Sequence, residues 1–259
     1  MDFLRNLFGK KNLEPETSIG YEENSENFEN DSNSYDVDLR NKLIKESTAY
    51  KKSGDYENAI NKINEALEIH KDEKLVYKKS SYLQQSGLSD EAWKVMSSFV
   101  DQINTEILNY KLNSVEDYLN FYGLFTDFYL AHTDMVKLLK KQKRFKDIIF
   151  YGFLSRFYEL VGNVRLGDSI VDIDSYILDH ISLGIVDQLK ISKFVTNQSE
   201  IDNAYVELVK ENESSLLDLH RASHIDYHFD FGRLAECVSI TKNLMSKPLS
   251  VKSLNIKYK

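Results

Sequence analysis

The chain has 259 residues, 42% of them apolar, 12% aromatic and 29% charged, with only ten glycines, two prolines and one cysteine, Cys237. Enough apolar residues are present for a buried core, so disorder throughout is excluded, and the scarcity of Gly and Pro argues against the many turns of a sandwich or barrel. The formal charge of -8 comes from 33 basic and 41 acidic side chains and gives no sign of a strongly basic, nucleic-acid-binding domain.

A single cysteine cannot close an intramolecular disulfide, so a reducing compartment is expected. With no apolar run of about 18 residues and no export signal, the expected location is cytoplasmic. A peripheral contact with the inner face of a membrane is the further expectation raised by residues 1–11. There Phe3, Leu4, Leu7 and Phe8 share one helical face, Gly9 is a natural terminator, and Lys10 and Lys11 follow. This hook has three readings: a weak hold on a membrane surface, insertion into a partner's groove, or packing on its own body.

Residues 12–38 hold nine acids and no Lys or Arg, and account for the whole negative balance; without them the chain is close to neutral. Their few apolar residues show no helical period, so the segment is expected to be a disordered acidic linker.

From 39 to 105 the pattern changes. Ser53-Gly54-Asp55-Tyr56 is followed by Ala59, Ile60, Ile63, Ala66 and Leu67, and 33 residues later Ser86-Gly87 is followed by Ala92, Trp93, Met96 and Phe99. Each Gly sits between two amphipathic stretches, which reads as helix, tight turn, helix, twice. A small Ala early in the second helix lets two backbones approach.

These residues resemble the tetratricopeptide repeat family: Ser47, Ala49-Tyr50, Gly54-Asp55-Tyr56, Ala59 and Ala66-Leu67 in one copy, and Ser80, Gly87 and Ala92 in a weaker second. Phe99 stands where the first copy has Ala66. A third turn is suggested at Gln142-Lys143-Arg144-Phe145, with Lys143 in place of the Gly and Ile148 in place of the Ala. The resemblance implies an all-α fold of antiparallel helix pairs whose first helices line a groove for a protein or peptide. It places Asn41, Ile44, Lys45, Thr48 and Lys51 on that groove, then Lys74, Tyr77, Lys78, Ser81 and Gln84. The subset of the family that clamps a terminal carboxylate needs paired Lys and Asn on its first groove helix, and Ile44 and Thr48 stand there instead.

Residues 106–259 continue as an irregular helical array. Aromatic stripes run through Tyr118, Phe121, Tyr122, Phe125, Phe128 and Tyr129 and through Phe150, Phe153 and Phe157, and are expected to be core. Further helices are expected near 164–182, 185–196, 200–224 and 230–246, the last closed by Lys247-Pro248.

Three constellations carry chemistry-bearing side chains. Lys137 to Lys146 packs six cations into ten residues with no acid, either to complement a helix C-terminus or as an anion patch for the acidic segment. His220, His224 and His228 recur at the spacing of one helix face, a pattern that can bind zinc or nickel but is more simply a histidine stripe. Asp168, Asp172, Asp174 and Asp179-His180 form an acidic ladder without a shared face. No phosphate loop, nucleophile elbow or metalloprotease helix is present.

The sequence therefore leads to a non-enzymatic adaptor or scaffold of bacterial style that needs no cofactor and receives a protein or peptide partner, with its oligomeric state open. Two alternatives stand beside it: an immunity or antitoxin-like inhibitor of a basic enzyme, and an enzyme with a site in the C-terminal helices.

Overall fold

The structure, a computed structural model, describes residues 27–166, 173–223, 230–246, 257 and 259. Over these residues the chain is all-α, built of antiparallel helix pairs. Eleven helices follow in order: α1 Asn27–Lys52, α2 Tyr56–Ile69, α3 Glu73–Gln85, α4 Ser89–Asn109, α5 Val115–Lys141, α6 Phe145–Leu166, α7 Ile173–Ser182, α8 Ile185–Gln188, α9 Gln198–Glu211, α10 Glu213–Ser223 and α11 Phe231–Ser246.

The first turn sets a hydrogen-bond pattern that recurs. After α1, Ser53 N–H donates to Ala49 O, Gly54 N–H to Lys51 O and Asp55 N–H to Tyr50 O. After α3 the same three bonds join Ser86 to Tyr82, Gly87 to Gln84 and Leu88 to Leu83. After α5 they join Gln142 to Leu138, Lys143 to Lys140 and Arg144 to Leu139. Each turn satisfies carbonyls that a helix end would otherwise leave unpaired, and each needs one left-handed residue. Gly54 has φ +83, Gly87 φ +90 and Lys143 φ +55. The suggested third copy of the turn is therefore present, with a lysine held in the glycine conformation.

Five residues beyond each left-handed position comes a fully buried side chain, Ala59, Ala92 and Ile148, each 0% exposed. Twelve beyond come Ala66, Phe99 and Ser155, all buried. The third pair thus restores the small residue that the second lacks. Thr133 and Ser155 close that contact through their hydroxyls at 2.8 Å.

Two cores result. Leu43, Ala59, Ile63, Ala66, Leu75 and Tyr82 form the smaller one, joining α1, α2 and α3. The larger runs from Val76 to Met245. The aromatic stripes of α5 and α6 belong to the larger core: Tyr118, Phe121, Phe125, Phe128, Phe153 and Phe157 are buried, Tyr122 and Tyr129 half-buried, and Phe150 remains 42% exposed. Leu43, Ile63, Leu75 and the other buried aliphatic and aromatic side chains are each worth about 1.5–3 kcal/mol relative to exposure.

Several boundaries differ from those the pattern predicts. Residues 27–38, expected within a linker, form the start of α1, because lengthening a helix from an anchored end avoids the cost of a new nucleus. Asp36, Val37 and Asp38 in this stretch are exposed. The hook side chains Phe3, Leu4, Leu7 and Phe8 lie outside the described residues. The expected helix 185–196 is one turn, α8, ended by Lys190 at φ +55. Beyond it Thr196 N–H donates to Lys257 O and Lys259 N–H to Phe194 O, so this β-prone stretch pairs with the C-terminal residues instead. The expected helix 200–224 is broken at buried Asn212, whose side-chain amide donates to Leu208 O at 2.8 Å and caps α9.

Lys143→Gly should raise stability by about 0.5–1 kcal/mol, because a lysine at positive φ is strained where glycine is not. Gly87→Ala should cost about 1 kcal/mol by the converse effect alone, since nothing lies within 4 Å of a Cβ added there. Urea midpoints of the two variants, compared with the parent, would check both.

Candidate functional site: the face of the first helices

The three first helices of the pairs, α1, α3 and α5, meet along two seams. Between α1 and α3, Lys78 Nζ donates to Thr48 Oγ1 at 2.9 Å, and Arg40 pairs with Asp72, the N-cap of α3. Between α3 and α5, Gln142 Nε2 donates to Gln84 Oε1 at 2.8 Å and to Ser89 O at 2.9 Å, while Lys141 Nζ reaches Ser81 Oγ at 3.4 Å. Lys137 and Lys141, one helical turn apart, stand over the same ring, Tyr77, at 5.6 and 5.7 Å from its centroid.

This arrangement sorts the ten groove positions. Asn41, Lys45 and Lys74 are exposed, and Thr48, Lys51 and Lys78 are half-exposed. Ile44 is packed against the smaller core. Tyr77, Ser81 and Gln84 are half-buried and already engaged by α5. The wall of α3 is thus lined on one side by Lys137 and Lys141, two residues that the two-copy reading of the sequence did not place there. The signal was present in the turn-like Gln142-Lys143-Arg144, which makes α5 the third first-helix.

The six-cation run does not form one patch, because helical geometry sends its members to different faces. Lys137 and Lys141 face α3. Lys140 donates to Leu189 O at the end of α8, and burial, reinforced by Lys190 and Arg156, pulls its pKa down. Arg144 stacks on Trp93 at 4.3 Å and pairs with Asp147 at 2.6 Å. Lys143 is exposed in the turn.

Beneath the lysines lies a carboxyl pair. Glu73 is 4% exposed and Asp134 7%, and Asp134 is joined to Lys137 at 2.5 Å. Burial first, then the hydrogen bond to Asp134 and the charges of Asp134 and Asp127, push Glu73 up to about 9, with Lys137 opposing. Glu73 therefore carries a proton at neutral pH, and its Oε1 has no hydrogen-bond partner. Burial pulls Lys137 down, but its bond to Asp134 and that carboxylate's charge raise it on balance. The outward side of this seam shows ammonium groups, while Glu73 and Asp134 are covered.

The other constellations are described only in part. Of the acidic ladder, Asp174 and Asp179 are exposed, and Asp168 and Asp172 lie outside the described residues. His180 is bonded to buried Tyr205 at 2.9 Å and its pKa is lowered by burial, with Arg156 and Glu159 opposing one another. His224 and His228 also lie outside the described residues, and His220 is half-buried on α10. Among the described residues no three His, Cys, Asp or Glu side chains converge as a metal site would require. No described helix is long and apolar enough to cross a membrane.

Comparison with known proteins finds no matching family model, no matching curated protein and no matching solved structure.

A carboxyl held protonated in the fold but ionised when unfolded, near its ordinary 4.5, makes the folded state bind the extra proton between pH 4.5 and about 9. Its contribution to stability therefore declines as pH rises through that window. Glu73→Gln keeps a donor towards Asp134 without the titration. It should flatten the decline and stabilise the protein at pH 8 by about 1–3 kcal/mol. Thermal unfolding of parent and variant at pH 5 and pH 8 reads the difference.

Proposed function

We propose that the protein is a non-enzymatic adaptor of tetratricopeptide-like form, which holds a segment of a partner protein along the face made by α1, α3 and α5. The observation that carries the reading is the threefold turn geometry. Three pairs with the same left-handed reversal set their first helices side by side, and a row of first helices is an extended surface rather than a pocket. Its exposed side chains, Asn41, Lys45 and Lys74, with Lys78 and Lys137 beside them, contribute little to either core. Side chains free of a packing role can be devoted to a partner. Tyr77, half-buried at the centre of the α3 wall, is the kind of rigid anchor on which binding energy concentrates.

The test is a peptide array of varied, charge-unbiased sequences probed with the full chain and with a Lys45→Glu, Lys74→Glu variant. Lys94→Glu, exposed on α4, serves as control. The adaptor reading expects a subset of peptides to be retained, with affinity weakened about tenfold by the double change and unaltered by the control. No retained peptides, or retention indifferent to both, would contradict it.

A further inference from the structure

Resting on that adaptor reading, the charge of the face points to the kind of segment it receives. We propose that the α1–α3–α5 face selects an acidic protein segment, whose carboxylates are taken by Lys78, Lys137 and Lys141 around the Tyr77 ring.

Four features support this selection. First, outside residues 12–38 the chain is close to neutral, yet the side chains that this face presents to solvent include Lys45, Lys74, Lys78, Lys137 and Lys141. Second, most of the nearby acids are withdrawn: Glu73 and Asp134 are buried, Asp72 is engaged by Arg40, and Asp127, half-buried, interacts with Lys74. Third, among the described residues Lys78 and Lys141 have no carboxylate within ion-pair distance, their neighbours being the neutral oxygens of Thr48 and Ser81. Fourth, Lys137 and Lys141 share one ring one turn apart, an arrangement of like charges that is unfavourable on a helix. A carboxylate set between them would remove that repulsion and satisfy the remaining N–H donors.

A lysine keeps three donors, so Lys137 can hold Asp134 with one and offer the others outward; its side chain is 56% exposed although its partner is not. Charge complementarity of this sort acts first on encounter rate and on rejection of wrong partners, and is weakened by salt. Acidic peptides would be drawn in, and basic ones turned away by the same groups.

The experiment is fluorescence anisotropy of a labelled Glu-Leu-Glu-Gly repeat peptide with the full chain, beside its Gln-for-Glu and Lys-for-Glu counterparts, at low and high salt. The expected result is binding of the Glu peptide that is weakened by salt and about tenfold tighter than that of the Gln peptide, with no binding of the Lys peptide. Lys137→Gln with Lys141→Gln should weaken it about tenfold, while Lys94→Gln leaves it unchanged; melting temperatures verify that each variant is folded. Failure of the Glu peptide to bind, equal binding of Glu and Gln peptides, or indifference to the double change would overturn the proposal. So would preferential binding of oligouridylate or phosphatidylserine vesicles, which would assign the lysines to phosphate. If the array instead yields neutral or basic peptides that depend on Lys45 and Lys74, the groove reading survives and the acidic selection falls.

Discussion

The layout of residues 39–166 depends on how a helix is stopped and reversed. A helix end leaves carbonyls unpaired, and the three hairpin turns pair them by the same device: one residue at positive φ, with the next N–H reaching back five residues. Because that geometry fixes where the following helix starts, a buried residue falls five positions later in every pair, and α1, α3 and α5 take equivalent places. Repetition of a local backbone constraint thus sets the order of these helices.

The price of the third copy is a lysine at φ +55. Its neighbours compensate: Gln142 ties α3 and the start of α4 to the turn through Gln84 and Ser89, and Arg144 lies on Trp93. These contacts cross between helices and act only once α3, α4 and α5 are assembled. Tertiary packing can therefore hold a conformation that the isolated residue disfavours. Lys190 uses the same reversal to end α8, which shows that the device is not confined to the glycine-marked turns.

Where glycine was present the fold could be read from the sequence. Gly54 with Ala59, and Gly87 with Ala92, announced two hairpins, and the helix-period aromatic stripes announced the core of α5 and α6. What could not be read was the conformation of Lys143 and Lys190, since lysine carries no preference for positive φ and only the assembled contacts supply it. Ser155, the small residue that answers Ala66, lies in the register of the suggested third turn, but its place there holds only if Lys143 takes the glycine conformation. The break at Asn212 depends on a side-chain amide choosing a carbonyl over solvent. The site was legible in its α1 and α3 half, while Lys137 and Lys141 were recognised as part of a cationic run whose division between faces needed the helix phase. Glu73 gave no signal, because a lone glutamate in a first turn is ordinary until α5 covers it.

The claim on which the account turns is that residues 115–166 form a third pair with the same left-handed reversal as the glycine turns. The intraresidue amide-to-α-proton nuclear Overhauser effect at Lys143, measured on the full chain, tests it directly, because that proton pair is closest when φ is positive. The expected effect at Lys143 is much stronger than at the flanking helical residues Leu139 and Ile148. An effect at Lys143 no stronger than theirs would contradict it.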